Sequence, residues 1–213
     1  LQTGCGCDDA KQGLPMKELF TVGHSVHTVE EFLEMLKLHA INALCDVRSS
    51  PYSRYSPQFN RESLKEDVLK QGIAYIYLGA ELGPRSSDQS CYENGKVQYK
   101  RLAEKEIFQQ GLARLRKGLE TYRIALMCAE KDPLTCHRML LVCRNLREEN
   151  IHIQHILEDG SLEDNRDTEM RLMKMLKIDP ADLFSTEEEQ IQRAYDLQGN
   201  KVAYTLEERQ ETL

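Results

Sequence analysis

Residues 123–148 read RIALMCAEKDPLTCHRMLLVCRNLRE. The stretch opens on an apolar run, Arg123 to Cys128, of a length suited to a buried strand. It turns polar at Glu130 and carries Asp132, Pro133, Cys136, His137 and Arg138 before apolar residues return at Met139 and Leu140. Asp132 precedes a proline and is biased away from helix, so the chain opens into a turn there. His137 to Glu148 then reads as a helix, with Cys136 and His137 at its N-terminus. Strand, polar loop and helix in that order form part of a βαβ unit, and whether the order recurs decides the fold.

It recurs on both sides. Leu19 to Val22 is a strand, followed by a T-x-x-E capping box at Thr28 and Glu31 and by Val29, Phe32, Leu33 and Leu36 at helical spacing. Ile41 to Val47 is a second strand. Asn60 caps the next helix with Phe59 and Leu64 as a hydrophobic staple, and Gly72 ends it. Ile73 to Leu78 is a third strand, and Gly79 to Gln98 a loop of about twenty residues, a length that goes with function or disorder. Tyr99 to Leu119 reads as a helix, Ile151 to Leu157 as the fifth strand, and Thr168 to Leu176 as a further helix. The alternation predicts an α/β fold of three layers, a mainly parallel five-strand sheet with helices on both faces. Residues 17–178 form this domain. Residues 1–16 read as an unstructured tail, and 179–213 as an acidic C-terminal appendage of a helix and a hairpin, turning at Gly199-Asn200.

Composition narrows the class. The chain has 213 residues, of which 30% are charged and 40% hydrophobic, a soluble globular balance. No run reaches the ~18 apolar residues of a membrane helix, so no membrane association is expected. Seven cysteines at irregular spacings argue for reduced thiols in the cytoplasm rather than a disulfide framework. The net charge of -7 disfavours non-specific nucleic-acid binding while allowing a local basic patch.

Ligands of an open parallel sheet bind beyond the carboxyl ends of its strands. Those ends carry His24 and Ser25, then Asp46 and Arg48 with Ser53 and Arg54, then Cys128 and Glu130 with Cys136, His137 and Arg138, and finally His155. Each has a structural alternative: Cys128 as a small core residue, Asp46 and Arg48 as an ion pair, His137 as a helix cap. Cys136, at a helix N-terminus, is placed for a depressed thiol pKa. Cys128, Cys136 and His137 offer soft ligands, but the spacing C-x7-C-H matches no zinc knuckle; no metal and no cofactor is assigned. The stretch from Arg48 to Arg61 interleaves arginines, hydroxyls and aromatics, which suits phosphate and base stacking. Glycine-rich phosphate loops are absent.

In order along the chain, five motifs resemble the domain-of-unknown-function 488 family: Thr21-Val22-Gly23-His24-Ser25; Asp46-Val47-Arg48-Ser49 with Pro51 and Ser53; Leu78-Gly79 with Leu82-Gly83; Cys128-Ala129-Glu130 with Pro133 and Cys136-His137-Arg138; and His155-Ile156-Leu157 with Asp159-Gly160. The resemblance covers roughly residues 17–177 and implies a compact α/β domain with a site, but no settled activity. The layout is also similar to rhodanese-type domains, in Asp46-x-Arg48 and in a cysteine at a strand end. Those domains place an arginine six residues after the cysteine, where this chain has Leu134.

These readings converge on an enzyme for an anionic or nucleotide-like ligand. Cys136 or Cys128 serves as nucleophile or metal ligand, and His24, His137 and Glu130 move protons. Arg48 and Arg138 hold the anion, with Ser25, Asp46, Ser53, Arg54 and His155 around it. Two alternatives stand beside it: a nucleic-acid-binding accessory protein using the Arg48–Arg61 loop, and a non-catalytic metal-binding protein. The oligomeric state is left open.

Overall fold

The structure is a computed structural model in which residues 16–180 and 184–206 are described. The N-terminal tail expected over residues 1–16 lies, but for Met16, outside the described residues. The strands are β1 (Lys17–Gly23), β2 (Ala43–Asp46), β3 (Ala74–Tyr77), β4 (Tyr92–Glu93), β5 (Lys96–Val97), β6 (Ile124–Cys128), β7 (Ile151–Ile156) and β8 (Leu162–Asp164). The helices are α1 (Val29–Leu38), α2 (Arg61–Lys70), α3 (Gly79–Leu82), α4 (Tyr99–Ala103), α5 (Glu106–Gly118), α6 (Asn165–Leu176) and α7 (Glu187–Val202).

Six strands form the main sheet in the order β3-β2-β6-β1-β7-β8. The first five are parallel, and β8 adds an antiparallel edge on β7. The mainly parallel α/β architecture therefore stands, with all five expected strands present and β8 as a sixth. The reason is visible in β6, which is apolar throughout because both its faces are covered. Ile124, Leu126 and Cys128 enter one core with Phe108, Leu112, Leu140 and Tyr195. Ala125 and Met127 enter the other with Phe32, Leu36, Leu64 and Val68, from α1 and α2.

The local signals at α1 hold. Thr28 and Glu31 form the capping box, and Phe32, Leu33, Met35 and Leu36 face the core. Asn60 stands at the N-cap of α2 without a side-chain cap bond; its Oδ1 accepts instead from the Ser53 N–H at 2.7 Å.

Four readings need correction. Gly79 to Gln98 is not a featureless loop but holds α3 and the β4–β5 hairpin. The helix expected over Tyr99 to Leu119 breaks into α4 and α5 near Glu104. The helix expected over His137 to Glu148 is a π-helical turn, Arg138–Val142, followed by a 3-10 turn, Cys143–Asn145. Cys136 therefore precedes only a short, irregular helix and gains no α-helical dipole.

The C-terminal hairpin is the largest correction. Gly199 and Asn200 lie inside α7, whose N-terminus is fixed by a Thr186–Glu189 capping box. Gly199 is small for packing rather than for turning: a Cβ there would stand 3.2 Å from the Tyr99 ring. Gln190, Ile191, Ala194, Tyr195 and Gln198 make the buried stripe of the helix. Beyond α7 the chain returns to the domain, where the Val97 N–H donates to the Tyr204 carbonyl at 3.0 Å. The described part of the segment thus packs on the domain.

Candidate functional site

A cavity of about 300 Å³ opens at the carboxyl ends of β2 and β6. Buried Cys128, His137 and Arg48 line its inner side, and Ser49, Ser50, Arg85, Glu130 and Thr135 line its more exposed side. Tyr99, Val202 and Tyr204 complete the far side, and the Arg85 guanidinium stacks over the Tyr204 ring at 4.3 Å.

The inner side is built by backbone geometry. Asp132 is extended before Pro133, and its carboxylate caps the following 3-10 turn by accepting from the Leu134 N–H at 2.9 Å. The turn ends at Cys136, whose extended backbone (φ -125°, ψ 138°) places its sulfur beside Cys128 and His137. The loop after β6 is held from below. Arg138 is fully buried, and its guanidinium donates to the carbonyls of Glu130 and Lys131 and to Thr21 Oγ1. It also packs under Gly23, where a Cβ would stand 1.9 Å from the Glu130 carbonyl oxygen. Arg138 is therefore not placed as the expected anion holder: its donors are taken by the backbone it supports.

In the Cys/His cluster, the Cys128 and Cys136 sulfurs lie 3.5 and 3.9 Å from His137 Nδ1. The three ligand-type atoms fall within 4.8 Å of one another. His137 Nε2 lies 2.9 Å from the Val47 carbonyl oxygen. A carbonyl only accepts, so Nε2 carries the proton and Nδ1 turns its lone pair toward the two sulfurs. The hydrogen bond to Cys136, reinforced by burial, pushes the Cys128 thiol well up. At Cys136 burial opposes ionisation, yet the Cys128 hydrogen bond and the Arg138 charge prevail and pull its thiol well down. Glu130, on the more exposed side, has its carboxyl raised by partial burial and by the nearby Cys136.

A second cluster sits beside the first. Arg48 makes two bonds to the buried Asp46 carboxylate, Nε to Oδ1 at 2.9 Å and NH2 to Oδ2 at 2.7 Å. Tyr75 donates to the same carboxylate at 2.7 Å. Arg48 NH1 donates to His24 Nε2 at 3.2 Å, and His24 Nδ1 donates to the Ser25 carbonyl at 3.1 Å. The His24 ring stacks on Phe59 with centroids 4.3 Å apart. Burial and the Arg48 charge lower its pKa to about 4, so it is neutral at pH 7. Both its nitrogens are committed, and it does not line the cavity.

The other expected residues scatter. Ser25 has φ 47° and bonds its N–H to the Ala129 carbonyl, tying the crest of β1 to that of β6. Ser53 Oγ accepts from the N–H groups of Tyr55 and Ser56, a loop cap. Arg54 is exposed on that loop, away from the cavity. His155 is fully buried between Thr21 Oγ1 at 2.7 Å and Asn165 Oδ1 at 3.1 Å, shares Thr21 with Arg138, and does not line the cavity. Of the expected residues, then, Arg48, Cys128, Glu130 and His137 line the cavity, with Cys136 packed behind them. Ser49, Ser50, Arg85, Tyr99 and Tyr204 were missed. Ser49 and Ser50 adjoin Arg48 in sequence, and Arg85 lies in the long loop after β3. Tyr204 had no local signal, because α7 brings it there.

No curated protein matches this chain and no solved structure does, so the likeness to rhodanese-type domains gains no support. The family model described as "Domain of unknown function DUF488" matches residues 28–144, which span β2, β6 and the whole Cys/His cluster. That is more than half of the chain, and the protein belongs to this family.

Proposed function

We propose that this protein is an enzyme, a transferase or hydrolase, whose reactive centre is the Cys128–Cys136–His137 cluster and whose substrate is a small anionic or nucleotide-like molecule. The observation that carries the reading is the geometry at His137. Its Nε2–H is held by the Val47 carbonyl, and its Nδ1 faces the Cys128 sulfur at 3.5 Å on the inner side of a cavity. A nucleophile, a base and a group that orients the base are the ingredients of covalent catalysis. Cys128 attacks the ester's acyl or phosphoryl centre, its proton passing to His137 Nδ1. The bond to sulfur forms as the ester bond breaks, and the leaving alcohol takes a proton from Glu130. Water or an acceptor alcohol then displaces the Cys128 sulfur, which regains its proton from His137. Arg85 and the Ser49 and Ser50 hydroxyls support an anionic ligand; the Arg48 guanidinium adjoins the cavity but is spent on Asp46, His24 and the Phe59 carbonyl. Among the described residues, Cys45, Cys91, Cys128, Cys136 and Cys143 are buried free thiols, which supports a reducing, cytoplasmic setting. No described helix is long and apolar enough to cross a membrane.

The test is turnover of a panel of carboxylate, phosphate and sulfate esters by the wild type, Cys128→Ser and His137→Gln, with circular dichroism of each. The expected result is an activity lost by about 100-fold or more in both folded variants, together with protection of Cys128 from iodoacetamide by the active ester's product. Equal turnover in wild type and Cys128→Ser would sink the reading.

One observation favours a second reading, a nucleic-acid accessory role. Tyr52 and Tyr55 are exposed on either side of the exposed Arg54. Aromatic side chains beside an arginine form a stacking surface for single strands. Oligonucleotide binding that weakens with salt and is lost in Tyr55→Ala would support it; no binding at low salt would end it.

A further inference from the structure

We propose that Cys128, Cys136 and His137 form a binding site for one soft or borderline divalent ion of the zinc class, with its fourth coordination position open to the cavity. The inference rests on the reading of this cluster as the reactive centre and names the ion as the group that performs the chemistry there, with Cys128 and His137 then serving as its ligands in place of nucleophile and base.

Four observations carry it. The first is the donor set: two sulfurs and an imidazole nitrogen select zinc-like ions over magnesium or calcium, which take oxygen. The second is spacing. For bond lengths of about 2.3 Å to sulfur and about 2.05 Å to nitrogen, a tetrahedral ion sets S···N edges of about 3.6 Å. The observed S···N edges are 3.5 and 3.9 Å, and the two sulfurs, which such an ion would set about 3.8 Å apart, lie within 4.8 Å of each other. The third is the tautomer. The Val47 carbonyl holds the Nε2 proton, which leaves Nδ1 as the ligating atom; a metal-bound histidine commonly donates its other N–H in this way. The fourth is access. Cys128 and His137 face the cavity while Cys136 is packed behind, so three ligands approach from the protein side and the fourth position faces the cavity. Three protein ligands with an open position is the pattern of catalytic rather than structural zinc.

Charge and protons balance. Two thiolates neutralise the divalent ion, so the buried site carries no net charge. The Cys128 proton, and the Cys136 proton where that thiol is still protonated, leave to solvent as the two sulfur–metal bonds form. An anionic substrate then meets the ion on one side and Arg85 on the other.

The experiment is cobalt(II) titration of the metal-free, reduced full chain, followed by thiolate-to-cobalt charge-transfer absorption, with zinc content of the purified protein measured by mass spectrometry. The expected result is one equivalent of cobalt with the charge-transfer band. Affinity should fall by more than about 100-fold in Cys136→Ser and in His137→Gln, both checked for fold by circular dichroism, and should be unchanged in Cys143→Ser. A wild type that takes up no cobalt, or binding equal in Cys136→Ser and wild type, overturns the metal site. The two readings fail separately: ester turnover in chelator-treated protein that Cys128→Ser abolishes leaves the thiol centre standing without the ion. Cobalt binding without turnover of any ester leaves the ion without the enzyme.

Discussion

Two histidine clusters lie side by side at the same edge of the sheet, and they have opposite characters. Around Asp46, Arg48 and His24 every strong donor and acceptor has a partner: a bidentate ion pair, a tyrosine, a backbone carbonyl and a stacked phenyl ring. Around Cys128, Cys136 and His137 one imidazole nitrogen is fixed by a carbonyl and the other faces two sulfurs at 3.5 and 3.9 Å, contacts that are weak because sulfur is a weak donor. The first cluster is finished without a ligand. The second is oriented but not saturated, and it adjoins the cavity. The lesson is that a reactive residue type is a poor guide to a site. The commitment of its atoms is a better one.

The contrast breaks first at Arg48. Replacing it with alanine leaves the Asp46 carboxylate buried without a cation, and loss of one partner of a buried pair costs about 3–5 kcal/mol. Urea denaturation is expected to show that loss in Arg48→Ala and to show much of it recovered in the double variant Asp46→Asn, Arg48→Gln. A change below about 1 kcal/mol in the single variant would mean that the pair is not structural.

Acid is the next lever. His155 is buried and neutral, its pKa lowered to about 4 by burial and by the Arg138 charge. The unfolded chain binds that proton near 6.5, so between about 6.5 and about 4 the unfolded state holds more protons. Stability therefore rises with pH through this window. It is complete above about 6.5 and is lost progressively as pH falls toward 4, by about 3 kcal/mol for His155. His24, lowered to about 4 by burial and Arg48, adds in the same direction. A urea midpoint for His155→Gln with the same acid slope as the wild type would remove His155 from this account.

Gly23→Ala tests the support beneath the open cluster. The added methyl meets the Glu130 carbonyl that Arg138 holds, and overpacking of this kind costs about 1–3 kcal/mol. Faster iodoacetamide labelling of Cys128 is expected to accompany it, because the displaced loop uncovers the inner side of the cavity. A neutral substitution would show that the loop gives way freely.

The smallest effect on stability is expected within the open cluster itself. Cys128→Ser should change unfolding free energy by less than about 1 kcal/mol, since it is near in shape and lies at the cavity surface. The same change should abolish function. Equal sensitivity of the two clusters to substitution would erase the distinction between them.

Much of the frame was legible. The strand–helix alternation placed all five parallel strands, because a strand covered on both faces must be apolar along its length. The rule that ligands meet the carboxyl ends of such strands directed attention to Cys128, Glu130 and His137. The misreadings have particular causes. Gly199-Asn200 has the composition of a hairpin turn, and only contact with the Tyr99 ring explains a glycine there. Arg138 reads as a free cation next to a cysteine, yet its partners are two backbone carbonyls and a threonine from another strand.

By itself, then, the sequence determined which residues were apolar on two faces, where the chain had to turn, and which reactive groups followed each strand. Those are local properties of propensity and periodicity. Only the tertiary structure decided which of the reactive groups still had atoms to offer. It turned the His155 ring into Thr21 and Asn165, locked His24 between Arg48 and a carbonyl, and left His137 Nδ1 facing two sulfurs. It also carried Tyr204 to the cavity wall on the end of α7. A hydrogen bond between residues more than a hundred positions apart has no trace in local pattern, and satisfaction of polar atoms is settled by such bonds.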